Sequence, residues 1–101
     1  MLHSKTRDRR IRVLRAYLPM PQFLGLIAGA NAIVSPHRAE GFGYIPAFAL
    51  ALGVPVVVTD HGGTQDFCTR DTSYPVPAEM VPVGAGEMPF RTPGARWAEV
   101  D

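Results

Sequence analysis

Apolar residues recur at a helical spacing in the first third of the chain. Four of them follow the i, i+3, i+4, i+7 pattern of one buried helix face: Met20, Phe23, Leu24 and Ile27. Pro21 suits the first turn of such a helix, where a missing N–H costs nothing. The pattern therefore predicts a helix that begins at Pro21 and ends around residues 29–31.

Three further apolar segments alternate with turns. Residues 32–35 (AIVS) predict a short buried strand. Residues 45–52 (IPAFALAL) suit a buried helix, with Pro46 tolerated in the first turn and Gly53 as the C-terminal stop. Residues 54–59 (VPVVVT) are β-branched and continuously apolar, which is typical of a strand covered on both faces.

The flanking segments are less regular. Residues 11–18 (IRVLRAYL) suit an edge strand, and residues 73–77 (SYPVP) suit one more short strand. Residues 78–94 are rich in proline and glycine and predict a loop, whereas residues 96–101 (RWAEVD) predict the start of a helix. The order helix, strand, loop, helix, strand, loop predicts an α/β fold, a Rossmann-like parallel sheet layered with helices.

Charge is low overall but unevenly placed. The 101 residues carry a net charge of +1, which argues against a dedicated nucleic-acid binder, and we expect no nucleic-acid partner. Many of the basic residues lie close together near the N-terminus: Lys5, Arg7, Arg9, Arg10, Arg12 and Arg15. Such a run attracts phosphates, but a solvated segment is the favoured interpretation, so residues 1–10 are assigned as a basic N-terminal segment.

Cysteine usage and hydropathy exclude several classes of protein. The single cysteine, Cys68, excludes an internal disulfide and gives no metal-ligand spacing, so we expect no metal. No apolar run is long enough to span a bilayer, and the polar, basic start does not resemble a signal peptide. The expected protein is cytoplasmic, without an integral membrane segment.

Two loops follow the two predicted central strands, at residues 36–44 and 60–66. Ligands of open α/β sheets bind beyond the carboxyl ends of the strands, where these loops meet. In the first loop, Glu40 precedes the glycine-bearing segment 41–43 and then a helix start. Unpaired N–H groups at a helix start suit a diphosphate, whereas the Glu40 carboxylate suits sugar hydroxyls, which donate hydrogen bonds to it.

Residues 31–67 (NAIVSPHRAEGFGYIPAFALALGVPVVVTDHGGTQDF) resemble the C-terminal domain of two-Rossmann (GT-B) glycosyltransferases of group 1, or family 4, which retain anomeric configuration. The pattern is a strand ending in Ser-Pro, then E-G-F-G, a helix, G-x-P-V and a G-G turn. The resemblance extends over residues 11–101, which it assigns as part of the donor-binding domain. It implies that no cofactor is used and that a nucleoside-diphosphate sugar is the donor substrate.

The resemblance also implies the roles of individual residues. Glu40 matches the first carboxylate of a Glu-x7-Glu motif and is the expected catalytic residue, in contact with the donor sugar. Further donor-binding residues are expected in the two loops: His37, Arg38, Gly41, Phe42, Gly43, Gly62 and Gly63. Arg38 is considered as a substitute diphosphate clamp, and His37 as part of the sugar pocket. Each has a structural alternative, and Gly62 and Gly63 are turn residues first.

The chain departs from the family pattern at Phe48, which stands where the second carboxylate of the motif would hold the ribose hydroxyls. The acceptor-binding N-terminal domain of such enzymes has no counterpart in these residues. We therefore expect a glycosyltransferase fragment that binds the donor and is inactive without that missing domain. The alternatives are a non-catalytic nucleotide-sugar-binding remnant and a structural interaction domain. A dinucleotide enzyme lacks support because no G-x-G-x-x-G motif opens a helix.

Overall fold

A computed structural model describes residues 7–84 and 94–100. Its elements, in chain order, are helix α1 (Met20–Ala28), strand β1 (Ile33–Ser35), helix α2 (Tyr44–Ala51), strand β2 (Val56–Thr59), a 3-10 helix (Gly63–Asp66), and strands β3 (Tyr74–Val76), β4 (Glu79–Pro82) and β5 (Arg96–Glu99). The helices and the first three strands lie where the hydrophobic pattern predicts them.

Strands β1, β2 and β3 form a parallel sheet in that spatial order. Val34 of β1 pairs with Val57 of β2, and Thr59 of β2 pairs with Val76 of β3. Parallel neighbours require crossover connections, and α2 supplies the one between β1 and β2. The prediction of an α/β, Rossmann-like fold is confirmed.

The core lies between the helices and one face of this sheet. Its buried members are Ile27 of α1, Ala49 of α2, Val54, Val56 and Val58 around β2, and Cys68. Burying a valine or isoleucine side chain stabilises a fold by about 1.5–3 kcal/mol, so this short list supplies much of the driving force. Cys68 is a small buried hydrophobe, as is common for free cysteine.

Helix α1 begins one residue before the predicted start, with Pro21 in its first turn. Of the predicted apolar face, Ile27 is buried and Phe23 packs against the core. Met20, the first residue of the helix, is 56% exposed. The Gly29 N–H donates to the Gly25 carbonyl at 3.0 Å and ends the helix within the predicted interval.

Helix α2 ends in a glycine cap, as its sequence predicts. Gly53 has φ of +74°, a conformation that glycine adopts without steric cost. Its N–H donates to the Leu50 carbonyl at 3.1 Å, and the Val54 N–H donates to the Ala49 carbonyl at 2.8 Å. These two bonds form a Schellman motif, which satisfies carbonyls that the helix itself leaves unpaired.

Strand burial differs from the expectation at β1. Val34 is 66% exposed because β1 is the edge strand and the helices cover only the other face of the sheet. The prediction of a fully buried strand is wrong there. In the central strand β2, Val56, Val58 and Thr59 are buried while Val57 is half-buried, so coverage on both faces is incomplete.

The expectations at both ends of the chain are corrected. Residues 11–19 form no strand: Ile11, Val13 and Leu14 are exposed, and no strand within residues 7–84 and 94–100 offers them backbone partners. Within the segment expected to be a loop, β4 forms, and where a helix was expected, β5 forms. The two pair antiparallel, with Met80 opposite Ala98 and Val81 opposite Trp97. Residues 85–93 of that expected loop lie outside the described residues, as do residues 1–6 of the basic segment.

Candidate functional site

The loops that follow β1 and β2 meet at the carboxyl edge of the sheet. The Gly63 N–H donates to the Glu40 carbonyl oxygen at 3.2 Å, and the His37 ring Nε2 lies 2.7 Å from the His61 carbonyl oxygen. The first loop is thereby fastened to the second at two points. The structure brings together the segments in which sequence reasoning placed the site.

The glycines of the second loop are required by close backbone packing. A Cβ on Gly63 would collide with the Gly41 carbonyl oxygen and lie 2.7 Å from its carbonyl carbon. A Cβ on Gly62, whose φ is +87°, would lie 3.0 Å from the Glu40 carbonyl oxygen. Both glycines therefore act as turn and packing residues, which is the structural role that the sequence favoured for them.

Gly43 sets the start of α2. It is the N-cap with φ of +91°, and a Cβ there would collide with the Thr64 methyl group. Gly43 has no side chain with which to cap the helix, and Pro46 in the first turn has no N–H to offer. The first N–H groups of α2 have no partner within the helix, and this terminus carries the partial positive charge of the helix.

Glu40 lies beside this helix start. Its side chain is exposed, and its Cγ lies 3.4 Å from the position that a Gly43 Cβ would occupy. The main chain of the same residue is fixed by the bond from Gly63. A solvent-facing carboxylate is thus held on a constrained backbone next to an uncapped helix terminus. Gly41, between the two, is exposed and has no neighbouring atom within 4 Å of a Cβ position.

His37 has a defined tautomer. A carbonyl oxygen only accepts hydrogen bonds, so the Nε2 that faces His61 carries the proton. In the neutral ring, Nδ1 is then an acceptor, and this buried atom has no hydrogen-bond partner among the described residues. His37 fastens the two loops together, and its assignment to a sugar pocket stays a prediction.

Arg38 is directed toward the β4–β5 hairpin. Its guanidinium Nη2 lies 3.3 Å from Glu99 Oε1, and its central carbon lies 4.8 Å from the centroid of the Trp97 ring. Its carbonyl oxygen accepts the Ala98 N–H at 2.8 Å. Arg38 therefore docks the first loop onto β5. Sequence reasoning missed both contact residues, Glu99 and Trp97.

Aromatic side chains form a continuous row along the loop and α2. The ring centroids of Phe42 lie 5.1 Å from those of both Tyr44 and Phe67. The Tyr44 ring lies 6.1 Å from that of Phe48, which lies 6.3 Å from that of Phe23. Phe48 packs against the core, and sequence reasoning missed Tyr44 and Phe67. The i, i+4 spacing of Tyr44 and Phe48 was the available signal.

Two kinds of feature are absent from the described ranges, 7–84 and 94–100: a metal-binding cluster and a membrane-spanning helix. Within them, no group of three or more His, Cys, Asp or Glu side chains is placed to hold a metal ion. No helix in that part of the chain is long and apolar enough to cross a membrane.

Comparison with known proteins adds the family. Over 39 residues the chain is 49% identical to the lipopolysaccharide core biosynthesis mannosyltransferase LpsB of Rhizobium meliloti (strain 1021). That match covers 39% of this chain and 11% of the mannosyltransferase, so the chain corresponds to a small part of that protein's length. No solved structure matches. A family profile described as glycosyl transferases group 1 matches residues 2–85, which include both loops and α2. The chain belongs to the group 1 glycosyl transferases.

Proposed function

We propose that this chain is the donor-binding part of a glycosyltransferase and that it binds a nucleoside-diphosphate sugar at the carboxyl edge of its sheet. Glu40 accepts hydrogen bonds from hydroxyl groups of the sugar. The start of α2 and the backbone of residues 41–43 face the diphosphate. Family membership supports glycosyl transfer in general, and the name of the mannosyltransferase makes a mannosyl donor the first to test.

One observation carries the proposal: the exposed Glu40 carboxylate stands beside the uncapped N-terminus of α2, on a backbone locked by Gly63. The helix terminus favours an anion, whereas the carboxylate favours hydrogen-bond donors. The terminus therefore suits the diphosphate of a nucleotide sugar, and Glu40 suits the hydroxyls of its sugar. The helix terminus stabilises an anion by about 0.3–1 kcal/mol when exposed. A hydrogen bond to a charged carboxylate contributes about 1.5–3 kcal/mol, which is enough to select a sugar.

The remaining steps of transfer require parts that these residues do not supply. In this proposal the chain acts as the C-terminal domain of a retaining enzyme, and an acceptor-binding domain closes over the same edge. Charge that develops on the leaving diphosphate is stabilised by the helix N-terminus. The 101-residue chain alone then binds donor but transfers no sugar, and robust transfer by this chain alone contradicts that part of the proposal.

Thermal unfolding in the presence of UDP-, GDP- and ADP-sugars tests donor binding. A ligand at a hundred times its dissociation constant adds about 2.7 kcal/mol to the free energy of unfolding. Each kcal/mol moves the midpoint of a domain this small by roughly 4–8 °C. We expect one nucleotide sugar to raise the midpoint of the wild-type chain and to lose that effect in Glu40→Gln.

Asp71→Asn is the matched control, because Asp71 is an exposed carboxylate in the turn before β3, at the opposite edge of the sheet from both loops. It should keep the full shift. The proposal fails if no nucleotide sugar shifts a clean transition, or if Glu40→Gln keeps the shift that the control keeps.

A second candidate function, a structural interaction domain, rests on the uncovered face of the sheet. Val34 is 66% exposed, and a cavity of about 170 Å³ lies on this face against Val57, Val76 and Val100. Parallel sheets are normally covered on both faces. Gel filtration tests this candidate: self-association that Val34→Glu abolishes supports it, and a monomeric wild-type chain argues against it.

A further inference from the structure

The aromatic row ends in two exposed rings. Phe42 is 48% exposed and Tyr44 is 66% exposed, whereas Phe23, Phe48 and Phe67 behind them pack against the core. Exposed aromatic rings that are contiguous with one another, rather than scattered, mark binding surfaces. The inner rings give the outer pair a fixed support.

The backbone fixes where this surface lies. Tyr44 is the first residue of α2, and Phe42 is separated from it only by Gly43, whose positive φ and contact with Thr64 hold the turn. The two rings therefore adjoin the helix terminus and Glu40. Any ligand that occupies that terminus has aromatic faces next to it.

The chemistry of the row excludes one mode of recognition. Phe48 lies one helical turn beyond Tyr44 on the same side of α2, with the two ring planes inclined by 34°. Its side chain has no hydrogen-bonding group, so it offers the hydroxyls of a ribose no acceptor. What this side of the helix presents is a π surface, which suits a flat, weakly hydrated ring.

We propose that Tyr44, supported by Phe42 and Phe48, stacks on the nucleobase of the bound nucleotide and that this contact replaces charged hydrogen bonds to the ribose. The inference rests on the proposed function. There the sugar lies at Glu40 and the diphosphate at the start of α2, which leaves the nucleoside to meet the adjacent rings. Every base has a π face, so stacking favours a ligand that carries a nucleobase over one that lacks it. The ribose hydroxyls contribute little to such a contact.

Binding of nucleoside diphosphates and of inorganic pyrophosphate to the full 101-residue chain tests the inference. Tyr44→Ala should lower the affinity for the nucleoside diphosphate by roughly 5- to 150-fold, which is the range that stacking energies of about 1–3 kcal/mol give. Pyrophosphate, which has no base, should bind within about twofold of wild type. Tyr44→Phe keeps the ring and should keep the affinity.

Tyr74→Ala is the matched control. The exposed fraction of Tyr74, 67%, is close to the 66% of Tyr44, but Tyr74 lies on β3 and is not part of the aromatic row. It should leave both affinities unchanged. Ligand-observed saturation-transfer NMR gives a second readout: base protons should receive more saturation than ribose protons, and 2′-deoxy and ribo forms should bind within a few fold of each other.

The outcomes separate the two proposals. If the wild-type chain binds no nucleoside diphosphate, the proposed function fails and this inference falls with it. If the wild-type chain binds but Tyr44→Ala binds equally well, the inference alone is overturned. An equal loss for pyrophosphate, or a strong preference for the ribo form, also overturns it, because the first indicates a distorted terminus and the second a ribose contact.

Discussion

The substitution Gly63→Ala is the sharpest test of how the two loops are joined. The φ of Gly63 is not in the left-handed region, so an alanine there meets no intrinsic backbone strain. Its effect comes from contact alone. The added Cβ would collide with the Gly41 carbonyl oxygen, lie 2.7 Å from the carbonyl carbon and lie 3.1 Å from the Phe42 Cα. All three atoms are backbone, so no side chain can rotate away.

The expected cost combines two terms. The loops must separate, and such overpacking costs about 1–3 kcal/mol. The Gly63 N–H bond to the Glu40 carbonyl, already 3.2 Å long, is lost on separation and contributes about 0.5–1.5 kcal/mol. Together they lower the free energy of unfolding by about 1.5–4.5 kcal/mol, a large share of the roughly 5–15 kcal/mol typical of a domain. The thermal midpoint should fall by roughly 6–36 °C.

Gly41→Ala is the control from the other side of the same contact. Its Cβ would have no atom within 4 Å, and its φ is not positive, so its stability should lie within about 0.5 kcal/mol of wild type. Urea unfolding followed by far-UV circular dichroism measures both variants. If Gly63→Ala unfolds at the same urea concentration as Gly41→Ala, the reasoning about the loop contact is refuted.

Two further changes test other parts of the fold. Gly25 lies in the interior of α1, with open space around the position of an added Cβ. Gly25→Ala should therefore raise the free energy of unfolding by about 0.5–1 kcal/mol, because alanine loses less chain entropy than glycine in a helix. A midpoint at or below that of wild type would contradict this. Arg38→Gln removes the exposed ion pair with Glu99 and the contact with the Trp97 ring, and should cost about 0.5–1.5 kcal/mol. Trp97 fluorescence should change with it, and an unaltered spectrum with unaltered stability would show that the Arg38 side chain does not hold the loop against β5.

The sequence predicted which loops form the candidate site, but it did not predict which side chains contact one another there. The order of elements and the rule for parallel sheets place Glu40 and Gly63 at one edge, and the structure agrees. The partner of Arg38 was not predictable, because Glu99 lies far along the chain and no local pattern links the two. The donor-binding roles of these residues stay predictions.

The sequence by itself determined the features that depend on residues close together in the chain. The apolar periodicity specifies α1 and α2, the glycine at position 53 specifies a helix end, and β-branched runs specify β1 and β2. E-G-F-G at residues 40–43, followed by G-x-P-V at residues 53–56, indicates the family that the profile match over residues 2–85 shows. Each of these signals lies within a few residues of the structure that it predicts.

Only the tertiary structure decided what depends on distant partners. Strands β4 and β5 each lack a clear pattern, and they form because each satisfies the other's backbone hydrogen bonds. Residues 11–19, more strand-like in composition, stay irregular because they have no such partner among the described residues. The same holds for the aromatic row, whose rings at positions 23, 42 and 67 meet only after the chain has folded. Strand pairing and side-chain packing depend on two segments that are distant in the chain, so the pattern of either segment alone does not predict them.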